Sequence, residues 1–371
     1  MPFQSINPYN NEVIATYPEH SGRETESILA RSDRAFKDWR KVPIAERSKL
    51  LQKAAGVLRK NKETYARTMT LEMGKPVSES VSEIEKCAWV CEFYAENAEH
   101  FLADLVIETD ASESFVSHDP LGPVLSIMPW NYPFWQVFRF LAPALMAGNV
   151  ALLKHASNVF GCANQIENLL KEAGFPDDIF LNLRIHHDNV EGILDDDRVK
   201  AVTLTGSERA GSAVAQQAGR NIKKSVLELG GNNAFIVWED ADMEQAVETG
   251  VNARMMNSGQ SCIAAKRFIL VGNAYETFLP AFTEKVKELR SGDPLDESTD
   301  VGPLARTDLA ETLEKQVSES LAKGAELLLG GKRNGAYYPP TILTNVSPGM
   351  PAFDEETFGP VASFIRAETE D

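Results

Sequence analysis

The chain has 371 residues, 43% hydrophobic and 25% charged, which excludes a peptide-sized module, a disordered chain and a collagen-like one; at roughly 100–200 residues per domain it makes two or three. Thirty-seven Lys and Arg against fifty-four Asp and Glu give a net charge of −17, with no local basic patch to oppose it, so nucleic acids and anionic membranes are not expected partners. Four cysteines (Cys87, Cys91, Cys162, Cys262) do not make a disulfide framework, and no basic-then-apolar signal follows Met1, so a reducing cytoplasm is the expected location.

From Ser21 to about Ala103, apolar residues recur at helical spacing, and two or three long amphipathic helices are expected. Leu105–Asp119 alternates β-formers with acidic residues and reads as a projecting hairpin. Pro120–Phe138 is uncharged but interrupted by four prolines, which points to buried structure in a water-soluble fold and not to a membrane span. Short apolar strands then alternate with helix-length segments. The expected strands are Val124–Met128, Val150–Leu153, Ile179–Leu183, Val199–Leu204 and Ser225–Leu229, the pattern of a parallel, doubly wound α/β core that binds a cofactor. A second α/β series opens near Asn233, with strands Ala234–Val237 and Arg267–Val271 and helices after Asp242 and around Phe278 and Leu313. Asp242 followed by Gln245 predicts a helix cap. The domain boundary falls near Glu228, where the motifs change.

Several short stretches carry candidate chemistry. Asn257-Ser-Gly-Gln-Ser-Cys262 presents a thiol after small and polar residues: a nucleophile, or a small buried apolar side chain. Glu228 ends an apolar strand before Gly230-Gly231, as a general base or as a strand-end residue that caps a backbone amide or pairs with a lysine. Pro129-Trp-Asn-Tyr-Pro133 sets the Asn131 amide on a strand-to-helix loop, as an oxyanion donor or as part of a rigid turn. Thr205–Gly211 follows a strand and opens a helix whose N-terminus suits a pyrophosphate, although it is not a GxGxxG fingerprint. Cys87 and Cys91 share a helix face without a matching ligand pair, and His186 and His187 are adjacent, so no metal is expected.

Taken in order, the Pro129–Pro133 loop, Lys154, Gly206-Ser207, Glu228-Leu-Gly-Gly, Asn257–Cys262 and Glu355-Glu-Thr-Phe-Gly-Pro360 resemble the aldehyde dehydrogenase superfamily. The resemblance runs from Ile6-Asn7-Pro8 to the last residues. Met73-Gly-Lys75, Lys154–Asn158 and Gly292-Asp-Pro294 resemble its succinate-semialdehyde dehydrogenase group.

The resemblance implies an NAD(P)-binding domain (1–104 and 121–228), an oligomerisation hairpin (105–120) and a catalytic domain (229–371). It implies NAD- or NADP-dependent oxidation of a small-molecule aldehyde, of succinate-semialdehyde type, to the acid in a homo-oligomer, a dimer or tetramer. Cys262 is the implied nucleophile of a thiohemiacetal and thioester, Asn131 the oxyanion donor and Glu228 the base that activates water. The cofactor cleft is assigned to Trp130, Lys154, Ser157, Gly206, Ser207 and Leu229, with Glu356 and Phe358 beside the nicotinamide ribose. Ser157, where many NAD-preferring relatives carry a glutamate, would tolerate the 2′-phosphate of NADP. Arg139 is the implied holder of a distal substrate carboxylate.

Two departures stand out. The group's second arginine is replaced by Met256, with Arg254 two residues too early. Relatives also continue well beyond Phe358, so the chain reads as C-terminally short, with apolar surface left exposed on the catalytic domain. Two alternatives follow: a shortened non-catalytic relative that binds nucleotide or another subunit, and a cofactor-independent cysteine hydrolase or acyltransferase.

Overall fold

The structure, a computed structural model, describes residues 2–369. β1 (Phe3–Ile6) and β2 (Val13–Tyr17) pair as a two-stranded sheet. α1 (Gly22–Trp39) starts at a capping box: Ser21 N–H donates to the Glu24 carboxylate at 2.8 Å, and Glu24 N–H donates to Ser21 Oγ at 3.3 Å. α2 (Ile44–Lys60), α3 (Lys62–Met73) and α4 (Val77–Phe101) follow, so this region holds four helices where periodicity gave two or three. The unforeseen breaks are local. Asn61 divides α2 from α3, and Gly74 ends α3 at φ 78°, where a Cβ would sit 2.8 Å from the Pro303 carbonyl oxygen.

β3 (Leu105–Val106) and β4 (Phe115–Val116) form the expected antiparallel hairpin, with only two residue pairs and all four side chains exposed.

The chain then alternates through β5 (Pro123–Met128), α5 (Trp135–Met146), β6 (Val150–His155), α6 (Phe160–Glu172), β7 (Phe180–Asn182), α7 (Val190–Asp195), β8 (Ala201–Thr205), α8 (Glu208–Arg220) and β9 (Lys224–Glu228). These strands make one parallel sheet in the order β7-β6-β5-β8-β9. β5, β6 and β8 are buried almost throughout, as strands covered on both faces must be. Ile28 and Leu29 of α1 join Leu125, Leu152, Val202 and Leu204 in its core. The chain winds outward from β5 to β7, then returns to place β8 on the other side of β5. That reversal is the switch point of a doubly wound sheet, and ligands of such sheets bind at the strands' carboxyl ends there.

The second series comprises β10 (Ala234–Val237), α9 (Met243–Met255), β11 (Arg267–Val271), α10 (Ala274–Lys287), α11 (Thr307–Ala322), β12 (Glu326–Leu329), β13 (Thr341–Thr344), α12 (Pro351–Asp354) and β14 (Val361–Ala367). Asp242 caps α9 as its spacing predicts, accepting from Gln245 N–H at 3.1 Å. The sheet order is β10-β11-β14-β13-β12, with only β12 antiparallel. Phe268, Phe278, Phe282 and Phe364 pack in its core, with the Phe268 and Phe364 rings stacked 5.1 Å apart.

The chain divides into two compact units. One holds Ala15–Thr68, Val81–Leu229 and the start through Ser5; the other holds Ile6–Ile14, Met69–Ser80 and the chain from Gly230 onward. Among the described residues no helix is long and apolar enough to cross a membrane, and no group of three or more His, Cys, Asp or Glu is placed to hold a metal.

Candidate active site

In the first unit the candidate residues gather at the carboxyl edge of the parallel sheet. Trp130 and Asn131 follow β5, Lys154 and Ser157 lie at the end of β6, Gly206 and Ser207 follow β8, and Glu228 ends β9 before Leu229. Parallel pairing sets these strand ends side by side: Met128 opposite His155, and Thr205 opposite Glu228.

The loop that carries Asn131 is fastened at its far end by a side chain whose role sequence reasoning missed. His155 is fully buried, with Nε2 2.9 Å from the Pro133 carbonyl and Nδ1 3.1 Å from the Met128 carbonyl; with the ring proton assigned to Nε2, it donates to Pro133 while Nδ1 accepts from Ala156 N–H at 3.0 Å. The same Ala156 N–H also lies 3.0 Å from the Met128 carbonyl. Burial pushes the His155 pKa down to about 4, so the ring stays neutral at physiological pH. Beyond the loop, the buried Glu83 carboxylate accepts from both Phe134 N–H and Trp135 N–H at 2.9 Å, capping α5, which has no side-chain cap of its own. Asn131 is itself buried, so its amide is set into a rigid frame.

Ser207 caps α8, accepting from Ala210 N–H at 3.3 Å. A Cβ at Gly211 would lie 2.6 Å from Leu229 Cδ2, so this glycine lets α8 pack closely on the end of β9. Lys154 is mostly withdrawn from solvent, and burial lowers its pKa. Ser157 is exposed at the start of a single 3-10 turn. Arg139 of α5 forms an ion pair with Glu228, Nη2 to Oε1 at 3.0 Å.

In the second unit Cys262 follows a backbone that no simple turn would give. Asn257, Ser258 and Gly259 adopt φ of 54°, 52° and 73°, three successive left-handed residues of which two have side chains. The surroundings hold them there. Asn257 N–H donates to Glu79 at 2.7 Å, Ser258 Oγ to the Gly302 carbonyl at 3.0 Å, and Gln260 accepts from Ala305 N–H at 2.9 Å. Cys262 is half-buried, while Cys87, Cys91 and Cys162 are fully buried packing residues; burial also raises the Cys91 thiol pKa. The Cys262 carbonyl accepts from Asn233 Nδ2 and Lys266 Nζ, both at 2.8 Å, and Lys266 Nζ pairs with Glu356 at 3.1 Å. A Cβ at Gly230 would collide with the Glu356 carboxylate, so the absence of a side chain there admits Glu356.

Arg254 is entirely buried, and so cannot stand in for the missing substrate arginine. Its guanidinium donates to the carbonyls of Gly259 at 2.9 Å, Ala265 at 3.2 Å, Thr357 at 3.3 Å and Gly359, tying the Cys262 loop to the segment of Glu356 and Phe358. Burial lowers its pKa to about 9, opposed in part by Glu356. The sequence hinted at none of these braces, because a buried Arg, Lys or Glu has no periodic signature. Asn131, Glu228 and Arg139 thus belong to the first unit, and Cys262, Glu356 and Phe358 to the second.

The family model described as "Aldehyde dehydrogenase family" matches residues 1–371. A probable NADP-dependent succinate-semialdehyde dehydrogenase of Synechocystis sp. is 48% identical over 365 residues, covering 98% of this chain and 80% of the relative. Succinate-semialdehyde dehydrogenase [NADP(+)] 1 of Mycobacterium tuberculosis is 46% identical over 373 residues, covering 99% and 82%. Among solved structures, succinic semialdehyde dehydrogenase from Streptococcus pyogenes in complex with NADP+ aligns with a TM-score of 0.96 at 36% identity, covering 99% of this chain and 82% of that one.

Proposed function

The chain belongs to the aldehyde dehydrogenase family, and from that premise we propose that it oxidises a semialdehyde with a distal carboxylate, of succinate-semialdehyde type, to the dicarboxylic acid. The residues at the carboxyl edge of the first unit's sheet fit a nicotinamide nucleotide: a Ser207-capped helix N-terminus stands at the switch point, where Gly211 and Leu229 pack closely. Trp130, Lys154, Ser157, Gly206, Ser207 and Leu229 would hold it, with Glu356 and Phe358 at the ribose. When bound, it supplies an acceptor for the hydride lost from the substrate carbon. The names of the Synechocystis, Mycobacterium and Streptococcus proteins favour NADP, and the small, uncharged Ser157 accommodates the extra phosphate, with NAD as the second possibility.

The Cys262 thiolate adds to the aldehyde carbon, and the carbonyl electrons move onto oxygen. The Asn131 amide and the Cys262 backbone N–H stabilise that oxyanion. Loss of hydride leaves a thioester. Glu228 takes a proton from water as the oxygen adds to the thioester carbon, the thiolate departs and the acid is released. Arg139 receives the distal carboxylate.

The observation that carries this reading is the setting of Cys262. Alone among the four thiols it is partly accessible, and it follows three left-handed residues that hydrogen bonds hold in place. Whole-chain similarity favours the dehydrogenase over the two alternatives. The four free cysteines suit a reducing cytoplasm, and the exposed Leu105, Val106, Phe115 and Val116 suit association of copies through the hairpin, as a dimer or tetramer.

The test is aldehyde-dependent reduction of NADP and NAD across a panel of semialdehydes. Cys262→Ser is expected to abolish it, and Glu228→Gln to permit one burst of reduction per site followed by slow release. Unchanged turnover in Cys262→Ser would overturn the proposal.

A further inference from the structure

The Arg139–Glu228 ion pair joins the residue assigned to the substrate's distal carboxylate with the one assigned to activating water. Both terminal nitrogens of Arg139 are engaged: Nη2 with Glu228 at 3.0 Å, and Nη1 more loosely with the buried Gln136 Oε1 at 3.4 Å. A bidentate hold on a carboxylate uses two N–H groups on one edge of the guanidinium. An incoming carboxylate therefore competes with Glu228 for Arg139. There is room for the exchange: Gln136, Arg139, Phe140, Thr205, Val226 and Glu228 all line one cavity of about 400 Å³ within the first unit. Neither partner is locked in place, since the Arg139 side chain is 32% exposed and that of Glu228 50%.

We propose that this ion pair holds Glu228 in reserve until the distal carboxylate of the acyl group takes Arg139, so that hydrolysis of the thioester is fastest for the substrates that carry that carboxylate. The inference rests on the roles given under Proposed function and adds a gate to them. While paired, the Glu228 carboxylate is held at the guanidinium, 3.0 Å from Nη2, and is not free to turn to a water at the thioester. Once the acyl chain's carboxylate occupies Arg139, Glu228 is released to act as base. A neutral aldehyde would be oxidised to the thioester and then wait.

The test needs no nicotinamide. p-Nitrophenyl acetate is a neutral acyl donor: the Cys262 thiolate adds to its carbonyl and p-nitrophenolate leaves in a burst, after which water, losing its proton to Glu228, releases acetate and regenerates the thiolate. The steady rate after the burst reports deacylation. Propionate added in trans supplies the missing carboxylate. It is expected to raise the steady rate saturably, about two- to fivefold given the modest strength of a half-exposed ion pair, with the burst amplitude unchanged. Propionamide and chloride at equal ionic strength should have no effect. Arg139→Ala should start at the raised rate and ignore propionate. A flat response of the unsubstituted protein to propionate would overturn the gate. So would a response that persists in Arg139→Ala, since Lys224, which also lines the cavity, would then be the cation involved. Wild-type deacylation by Glu228→Gln, or a normal burst in Cys262→Ser, would instead overturn the assigned roles and the gate with them.

Discussion

His155 Nε2 donates to the Pro133 carbonyl at 2.9 Å, so a residue at the end of one strand closes the loop that leaves its neighbour. That single bond fixes the far end of the segment carrying Trp130 and Asn131, and the ring bears no charge because it has no water.

His155→Leu keeps the bulk and removes the donor, leaving a buried carbonyl unpaired, at about 1–3 kcal/mol near neutral pH. The pH dependence has a definite sign. The folded pKa, about 4, lies below the ordinary value of 6.5, so below 6.5 the unfolded chain takes up a proton that the folded protein refuses. His155 therefore costs stability as pH falls from 6.5 towards 4, in total roughly 3 kcal/mol. Urea unfolding at several pH values should show His155→Leu less stable than the parent at pH 7.5 and level with it or better near pH 4.5. A pH-independent difference would contradict the burial argument.

Arg254→Met removes the donor shared by the carbonyls of Gly259, Ala265, Thr357 and Gly359. Several buried acceptors lose a partner together, and the expected loss is on the order of 3 kcal/mol. The loop before Cys262 should loosen as well, which iodoacetamide can report: the Cys262 alkylation rate at fixed pH should change severalfold. A parent-like melting temperature and alkylation rate would show that the bonds contribute little.

The sequence exposes the fold unevenly, and the reasons are physical. Four strands of the first sheet, β5, β6, β7 and β8, are short buried apolar runs between helix-length segments, so burial marks them, whereas β9 is largely exposed. β14 pairs in parallel with both β11 and β13, yet lies near the chain's end, and nothing local in Val361–Ala367 announces a central position. Cys262, Glu228 and Asn131 stand out as candidates because their neighbours are motifs. His155, Glu83, Arg254 and Lys266 act through backbone carbonyls and amides brought in from distant segments, which no spacing encodes.

Gly259 and Gly56 give opposite predictions for the same substitution. At Gly259, φ is 73° and a Cβ would strike the Gly359 carbonyl, so Gly259→Ala should destabilise by more than about 1–2 kcal/mol and reduce activity. Gly56 lies exposed within α2 with nothing within 4 Å of a Cβ. There alanine gains helix propensity, so Gly56→Ala should stabilise by about 0.5–1 kcal/mol with activity unchanged. Thermal unfolding of the pair, read with turnover, separates strain at the loop from a general intolerance of added volume.

Ser157 is exposed just beyond the end of β6, three residues after Lys154, and nothing in its surroundings requires a serine. On the proposed cofactor assignment its value is electrostatic, since a hydroxyl adds no charge near the adenosine ribose. Ser157→Glu places a carboxylate there, which accepts hydrogen bonds from ribose hydroxyls but repels a 2′-phosphate. The ratio of kcat/KM for NADP to that for NAD should fall at least tenfold, about 1.4 kcal/mol of discrimination. Because charge repulsion at an exposed position is screened, part of the lost NADP activity should return between low and high salt, while the NAD rate stays level. A ratio equal to that of the parent would place the ribose elsewhere and remove Ser157 from the cofactor site.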